Sequence, residues 1–379
     1  MFSKFRIHII ASTRPDFIRL ARFIKLCKAH PDIECTFIAT GQHYDATLYE
    51  QFFSELNIPR PDKVLELKQE TVTKQTAALL NQLDDLIISL QDKPDVAVFL
   101  GDVNGVLGSI AYQKYDVPVI HIEAGGRSFA PNMPEEKNRK LIDGLSSRLY
   151  CYHQDYLVNL IREGVAPSNI VVVGNIICDA LEDFAPQIQE RRLLVREKYN
   201  LPPRFFLMTM HRHENVEDSY KAARILGDVN HLAEIHGVKV LLPVMPRLKE
   251  LIRGNESVLN NFLLQDPLGF LDFVALEIEA ELVLSDSGTV QEECAIFGKR
   301  AIILREYTER PHCLSKTNRL AMDRFDKVYE DMLAAEPTRV LLGEGDTSER
   351  ILNDLIENRY KLANSLDKLV DQWVARCQI

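Results

Sequence analysis

LPPRFFLMTMHRHEN, residues 201–215, is where the chain starts its fold a second time. Pro202 and Pro203 end the preceding pattern, since proline removes an amide donor and pushes its neighbour out of helix. The run Phe205–Met210 that follows is apolar almost throughout, and a cluster of histidine, arginine and glutamate stands at its end. An apolar run without polar alternation marks a strand covered on both faces. Similar runs follow at Val238–Pro243, Phe262–Leu264, Leu282–Ser285 and Ala301–Leu304. Upstream lies an earlier series: Arg6–Ala11, Glu34–Ala39, Val96–Leu100, Val117–Ile122, Leu149–Tyr152 and Ile170–Val173. Amphipathic stretches such as Thr71–Leu90 and Asp155–Glu163 separate the runs. Strand–helix alternation of this kind predicts parallel, doubly wound α/β sheets.

Because the series occurs twice, the expected fold is two Rossmann-like domains. The first spans 1–174 and the second 175–361, with the joint near Gly174–Glu190. Ser348–Ile379 reads as one or two helices without a following strand, and a helix over 362–379 is expected to rejoin the first domain. The length of 379 residues agrees, being two cores of roughly 150–200 residues. In open parallel sheets the chemistry sits beyond the carboxyl ends of the strands, so two facing sheets predict an interdomain cleft.

Composition narrows the function. Apolar residues make up 46% and charged residues 26%, as in a soluble globular protein. No apolar run reaches the ~18 residues of a membrane helix. The start MFSKFRIHIIASTRPDF reads as a first strand and not a signal peptide, because charged residues follow the apolar run at once. A net charge of −10 argues against a general nucleic-acid role. Seven cysteines occur, none in CxxC spacing, which fits buried thiols in a reducing cytoplasm better than a zinc site or a disulfide framework.

The polar clusters fall after strands. In STRPDFIRL (12–20), Thr13, Pro15 and Asp16 form a helix start, and Arg14 is either a solvated arginine or part of an anion site at that helix N-terminus. In LGDVNGVLGS (100–109), Asp102 is either an N-cap or a cleft carboxylate. HIEAGGRSF (121–129) places Glu123 at a strand end, where a carboxylate has little structural purpose. PEEKNRK then opens a helix, with Glu135 and Arg139 four residues apart and able to pair simply with each other. His211, at the end of the opening run, is a candidate acid, base or phosphate contact, and no zinc-binding spacing surrounds it. In LSDSGTVQEEC (284–294), Ser287, Gly288 and Thr289 offer N–H groups and hydroxyls at a helix start, a phosphate cradle without a P-loop lysine. Glu293, further into that helix, would repel phosphate but accept ribose hydroxyls. No GxGxxG is present, so a nucleoside diphosphate is favoured over a dinucleotide.

Taken in order, STRPDFIRL, TGQHYD (40–45), GDVNG, HIEAGGRSF with MPEEKNR, GN…D (174–179), MHRHEN, DSGTVQEE and TERP resemble the motifs of the non-hydrolysing UDP-N-acetylglucosamine 2-epimerases. The resemblance runs from about residue 5 to residue 315. It implies a GT-B fold, a homodimer, a UDP-sugar substrate, and no metal or other cofactor. The implied reaction inverts C2 by losing UDP and the C2 proton to give 2-acetamidoglucal, then adding both back. It also implies that Asp102, Glu123 and Glu135 are the acid/base carboxylates, without saying which handles which proton. Arg14, Arg139, His211 and the Ser287–Gly288–Thr289 turn match phosphate or substrate contacts. Phe273 matches the uracil site, Glu293 the ribose contact and Arg310 a further cleft arginine.

There are departures from the pattern. Arg19 stands where several members have lysine, so it is carried as a substrate-binding candidate. Met245 replaces a histidine and Thr289 a glycine. The Glu123–Glu135 interval is closer in length to that of relatives acting on UDP-2,3-diacetamido-glucuronate or UDP-6-deoxy amino sugars. QHYD and LELKQETVTKQ match the family's allosteric site poorly, which predicts weak or absent activation by UDP-N-acetylglucosamine. The rival readings are a hydrolysing epimerase, a GT-B glycosyltransferase and a catalytically inactive UDP-sugar sensor.

Overall fold

The computed structural model describes residues 4–41, 52–68, 71–252, 259–359 and Leu362. The chain divides into two compact units, one formed by residues 1–183 together with 343–379, the other by Phe184–Leu342. The helix expected over 362–379 lies outside the described residues apart from Leu362, as do Gln42–Asp45 of the TGQHYD motif and Gln69–Glu70.

The first unit is a seven-stranded parallel sheet. Its strands are β1 (Phe5–Ala11), β2 (Ile33–Gly41), β3 (Lys63–Glu66), β4 (Val96–Leu100), β5 (Val119–Ile122), β6 (Ser146–Cys151) and β7 (Ile170–Val172), in the order β3-β2-β1-β4-β5-β6-β7. The second unit is a six-stranded parallel sheet of β8 (Phe205–Thr209), β9 (Lys239–Pro243), β10 (Phe262–Gln265), β11 (Leu282–Ser285), β12 (Ala301–Ile303) and β13 (Asn318–Leu320), in the order β10-β9-β8-β11-β12-β13. In both sheets the order reverses beside the first strand, between β1 and β4 and between β8 and β11. That reversal opens a crevice at the strands' carboxyl ends.

The stretch that opened the reading shows why its apolar run does not alternate. Phe206 and Met208 enter one core, with Val240, Leu242, Leu282 and Leu284. Phe205 and Leu207 enter the core on the opposite face, with Leu241, Val283 and Ile303. The period of two is intact, but both faces are covered by helices, so both sets of residues are apolar.

Two strands escaped the sequence reading, β3 and β13. Each lies at an edge of its sheet, and β3 is four residues long and buries only Leu65, so it carries no apolar run to mark it. The predicted run at Val117 begins pairing only at Val119, after Pro118, which has no amide to donate.

The chain re-enters the first unit through the helix Thr347–Glu357. Asp179 caps that helix, accepting from Thr347 N at 3.0 Å and Ser348 N at 2.7 Å. Asp354, further along it, takes the Arg148 Nε at 2.8 Å and the Tyr150 hydroxyl at 2.7 Å. Among the described residues no helix is long and apolar enough to cross a membrane.

Candidate active site

Beyond β1, β4 and β5 the first unit gathers a chain of buried charges. Glu123 ends β5 and is 1% exposed. Its Oε2 accepts from Arg19 Nη1 at 2.6 Å and its Oε1 from Arg139 Nη2 at 2.8 Å. Arg139 also donates to Asp102 Oδ2, from Nη2 at 2.6 Å and Nε at 3.0 Å. Arg19 donates to Asp16 Oδ1 at 2.9 Å. Two guanidinium groups thus link three carboxylates. Burial pushes the Asp16 carboxyl up from its ordinary range, and Arg19 only partly offsets this. Breaking one such buried pair by removing a partner typically costs about 3–5 kcal/mol, so the cluster is rigid.

The backbone is bent to place Glu123 there. Its φ is +71°, left-handed for a side chain that disfavours it, at a cost of roughly 1–2 kcal/mol. Beneath it, His121 is fully buried, with Nδ1 at 2.6 Å from Asp143 Oδ1 and Nε2 at 2.8 Å from the Gly101 carbonyl. Asp143 also accepts from Gly125 N at 3.1 Å and pairs with Arg127 at 2.7 Å. Burial pushes the Asp143 carboxyl up, but His121 and Arg127 more than reverse this and hold it below the ordinary range. The two turns carrying Asp102 and Glu123 are therefore tied to one buried ionic group.

Glu135 is half-buried in the first turn of the helix Pro134–Leu145. Its neighbour Glu136 is the fully buried one and anchors the preceding loop, accepting from Ser128 N at 2.9 Å and Ser128 Oγ at 3.1 Å. Arg14 opens the helix Arg14–Ala29 half-buried, 5.8 Å from the centre of the Phe52 ring.

The second unit forms its own cluster beyond β8, β11 and β12. Ser287 caps the helix Gly288–Phe297, and Thr289 stands in its first turn, both half-buried. Asp286, fully buried, knots two turns together, accepting from His211 N at 3.0 Å, Arg212 N at 2.9 Å and Asn215 Nδ2 at 3.2 Å. The His211 ring is 45% exposed, with Nδ1 3.2 Å from Asp286. Arg310 is held by Glu309 and by Glu292, the latter at 2.7 Å. Glu309 in turn takes Arg305 at 2.7 Å. Glu293 is buried in the same helix, and Phe273 is half-buried in the helix Phe270–Glu279. Helix N-terminal amides, hydroxyls and buried arginines are the chemistry of an anion site.

Sequence reading missed Asp16, Glu136, Asp143 and Asp286 as members of these clusters. Asp286 carried a signal, standing directly at the end of β11 beside the residues already singled out. Gly288 shows how tightly the second cluster is closed. A Cβ there would lie 2.4 Å from Arg310 Nη1, and two carboxylates keep that guanidinium in place. Gly288→Ala is expected to cost about 2 kcal/mol in denaturant unfolding of the second unit, and a loss below 0.5 kcal/mol would show that Arg310 moves aside freely.

Residues 25–356 match the family model described as UDP-N-acetylglucosamine 2-epimerase. The UDP-N-acetylglucosamine 2-epimerase of Methanocaldococcus jannaschii is 36% identical over 94% of this chain and 100% of its own length. A UDP-2,3-diacetamido-2,3-dideoxy-D-glucuronate 2-epimerase from Pseudomonas aeruginosa is 35% identical over 80% of this chain and 84% of its own. The M. jannaschii UDP-GlcNAc 2-epimerase crystallised with UDP-GlcNAc and UDP superposes with a TM-score of 0.85 at 34% identity, covering 93% of this chain and 99% of that one.

Proposed function

This chain belongs to the UDP-N-acetylglucosamine 2-epimerase family and is an isomerase, and we propose that it inverts C2 of a UDP-linked 2-acetamido sugar by eliminating and re-adding UDP, without hydrolysis. The Arg19–Glu123–Arg139–Asp102 network is the observation that carries this reading.

A sugar C2–H has no adjacent carbonyl to acidify it, so departure of the diphosphate must drive its loss. The C1–O bond breaks and its electron pair leaves with UDP. A carboxylate takes the C2 proton, and the C1=C2 bond of a 2-acetamidoglucal forms. A second proton donor then delivers a proton to the opposite face of C2, and the UDP oxygen adds back to C1. This chemistry needs carboxylates held close together without mutual repulsion, and Arg139, shared by Asp102 and Glu123, meets that need. Asp102, Glu123 and Glu135 are assigned the proton transfers. Arg14 and the pair Arg19 and Arg139 set the charge around the sugar, with Arg19 acting through Glu123.

In the second unit the Ser287–Gly288–Thr289 turn, His211 and Arg310 are assigned the diphosphate, Phe273 the uracil and Glu293 the ribose. The buried turn geometry around Asp286 and the helix start at Gly288 support the diphosphate assignment. The thiol state of the six described cysteines accords with a cytoplasmic setting, and family resemblance supports a homodimer.

The default substrate pair is UDP-N-acetylglucosamine and UDP-N-acetylmannosamine. A UDP-2,3-diacetamido-glucuronate is the second reading, because the P. aeruginosa relative is almost as similar as the M. jannaschii one. Incubation with each UDP-sugar in deuterated water, followed by NMR, separates these outcomes. The expected product carries deuterium at C2, keeps its UDP and forms without added nicotinamide. Release of free sugar and UDP would show a hydrolysing enzyme, and absence of C2 exchange with every sugar of the panel would refute epimerisation.

A further inference from the structure

The second unit contains a buried acid that the proposed reaction leaves unused. Glu277 lies in the helix Phe270–Glu279, which packs against the helix Gly288–Phe297, and its side chain is completely buried. The other acids of its helix have cations. Asp272 is engaged by Lys198 and Arg191 of the helix Ala185–Lys198, and Glu279 by Arg192 and Arg196 of that same helix. Lys299 donates to the Ile278 carbonyl at 2.8 Å. Glu277 points to none of these, and neither of its oxygens meets an N–H or hydroxyl donor among the described residues. The polar group within hydrogen-bonding reach is the carboxyl of Glu293, itself 3% exposed. The Cys294 thiol is the other titratable neighbour on that helix, and burial together with the two glutamates pushes it up.

Two carboxylates enclosed in apolar packing cannot both be ionised, and a contact between them is held by a shared proton. We infer that Glu277 is a positioning residue for the nucleotide: it donates its carboxylic proton to Glu293 and so fixes the orientation in which that carboxylate accepts ribose hydroxyls. This rests on the ribose role proposed above for Glu293.

The location of the proton follows from the surroundings. Burial first, and the adjacent Glu293 charge second, hold the Glu277 carboxyl far above its ordinary range. The protonated pair therefore persists through neutral pH. As pH rises through that raised value the pair becomes a dianion, the hydrogen bond is lost, and a second negative charge faces a diphosphate ligand. UDP affinity is expected to fall on the alkaline side.

The test uses the full-length protein, with UDP and 2′-deoxy-UDP titrated calorimetrically from pH 7 to 8.5, short of the ionisation of the uracil N3–H, which would weaken binding in every variant. Glu277→Gln keeps a permanent donor and is expected to bind UDP like the unmodified protein at pH 7, without the alkaline decline. Glu277→Leu removes the donor and is expected to weaken UDP about tenfold or more, raising KM with little change in kcat. Wild-type-like or tighter binding by the leucine variant would overturn the role of Glu277. So would an alkaline decline in the glutamine variant equal to that of the unmodified protein. This second comparison stands even if the leucine variant fails to fold. The deoxy ligand tests the premise separately. Equal binding of UDP and 2′-deoxy-UDP by the unmodified protein would remove the ribose contact itself. Clear discrimination together with unaffected Glu277 variants would remove only the positioning role.

Discussion

Glu123→Gln is expected to lower kcat for C2 inversion about a thousandfold, within the range that a positioned acid or base contributes. The amide occupies the same volume and sits at the same φ of +71°, so it adds no backbone strain. What it loses is the ability to take or return a proton. The fold should survive, because each neighbouring guanidinium keeps one carboxylate: Arg19 retains Asp16 at 2.9 Å and Arg139 retains Asp102 at 2.6 Å. The weakened pairing should cost about 1–3 kcal/mol of stability. Solvent-deuterium incorporation at C2, read by NMR alongside a circular dichroism spectrum, checks both parts. A folded variant exchanging within tenfold of the unmodified protein would remove Glu123 from the proton transfers.

Gly125→Ala is expected to destabilise the first unit by about 3 kcal/mol. Its φ of +82° costs a side chain roughly 1–2 kcal/mol, and the added Cβ would stand 2.4 Å from the Tyr156 carbonyl oxygen and 2.9 Å from Leu160 Cγ. The residue cannot shift to escape. Its N–H is bound by Asp143 at 3.1 Å and its carbonyl by Asn159 at 3.0 Å. Gly144→Ala is the matched control, since nothing lies within 4 Å of its added Cβ and it lies in the last turn of a helix. That change should stabilise by up to about 0.5 kcal/mol. Denaturant unfolding of the two variants should move in opposite directions, and a Gly125→Ala loss below 1 kcal/mol would contradict the packing described.

The central strands were legible because each is apolar on both faces, as Phe205–Thr209 shows. Two of the four edge strands, β3 and β13, were not, because each is short and half or more of its residues are polar, whereas the apolar edge strands β7 and β10 were read. Asp102, Glu123 and Arg139 were found because they follow strands and carry motif resemblance, and they prove to lie on one network. Glu135 drew attention from the same motif, whereas burial falls on Glu136 one residue later. A helix start with two adjacent acids does not show which will turn inward. Asp143 and Glu277 were invisible, and Asp286 was passed over despite its place at a strand end, for a related reason. Each looks like a solvated acid until the residues it meets from distant parts of the chain are known. Their partners, His121 and Arg127, His211 and Asn215, and Glu293, follow from topology and not from spacing.

The interrupted first unit has a consequence for how the protein is made. Phe184–Leu342 forms one uninterrupted segment, whereas the first unit requires residues from both sides of it. A ribosome that has released Leu342 has delivered every strand of both sheets, yet Asp179 still lacks the Thr347 and Ser348 amides it caps and Arg148 still lacks Asp354. Nascent chains halted there should protect the later-made sheet from protease while the earlier-made one remains open to cleavage. Synthesis order and order of completion are thus reversed.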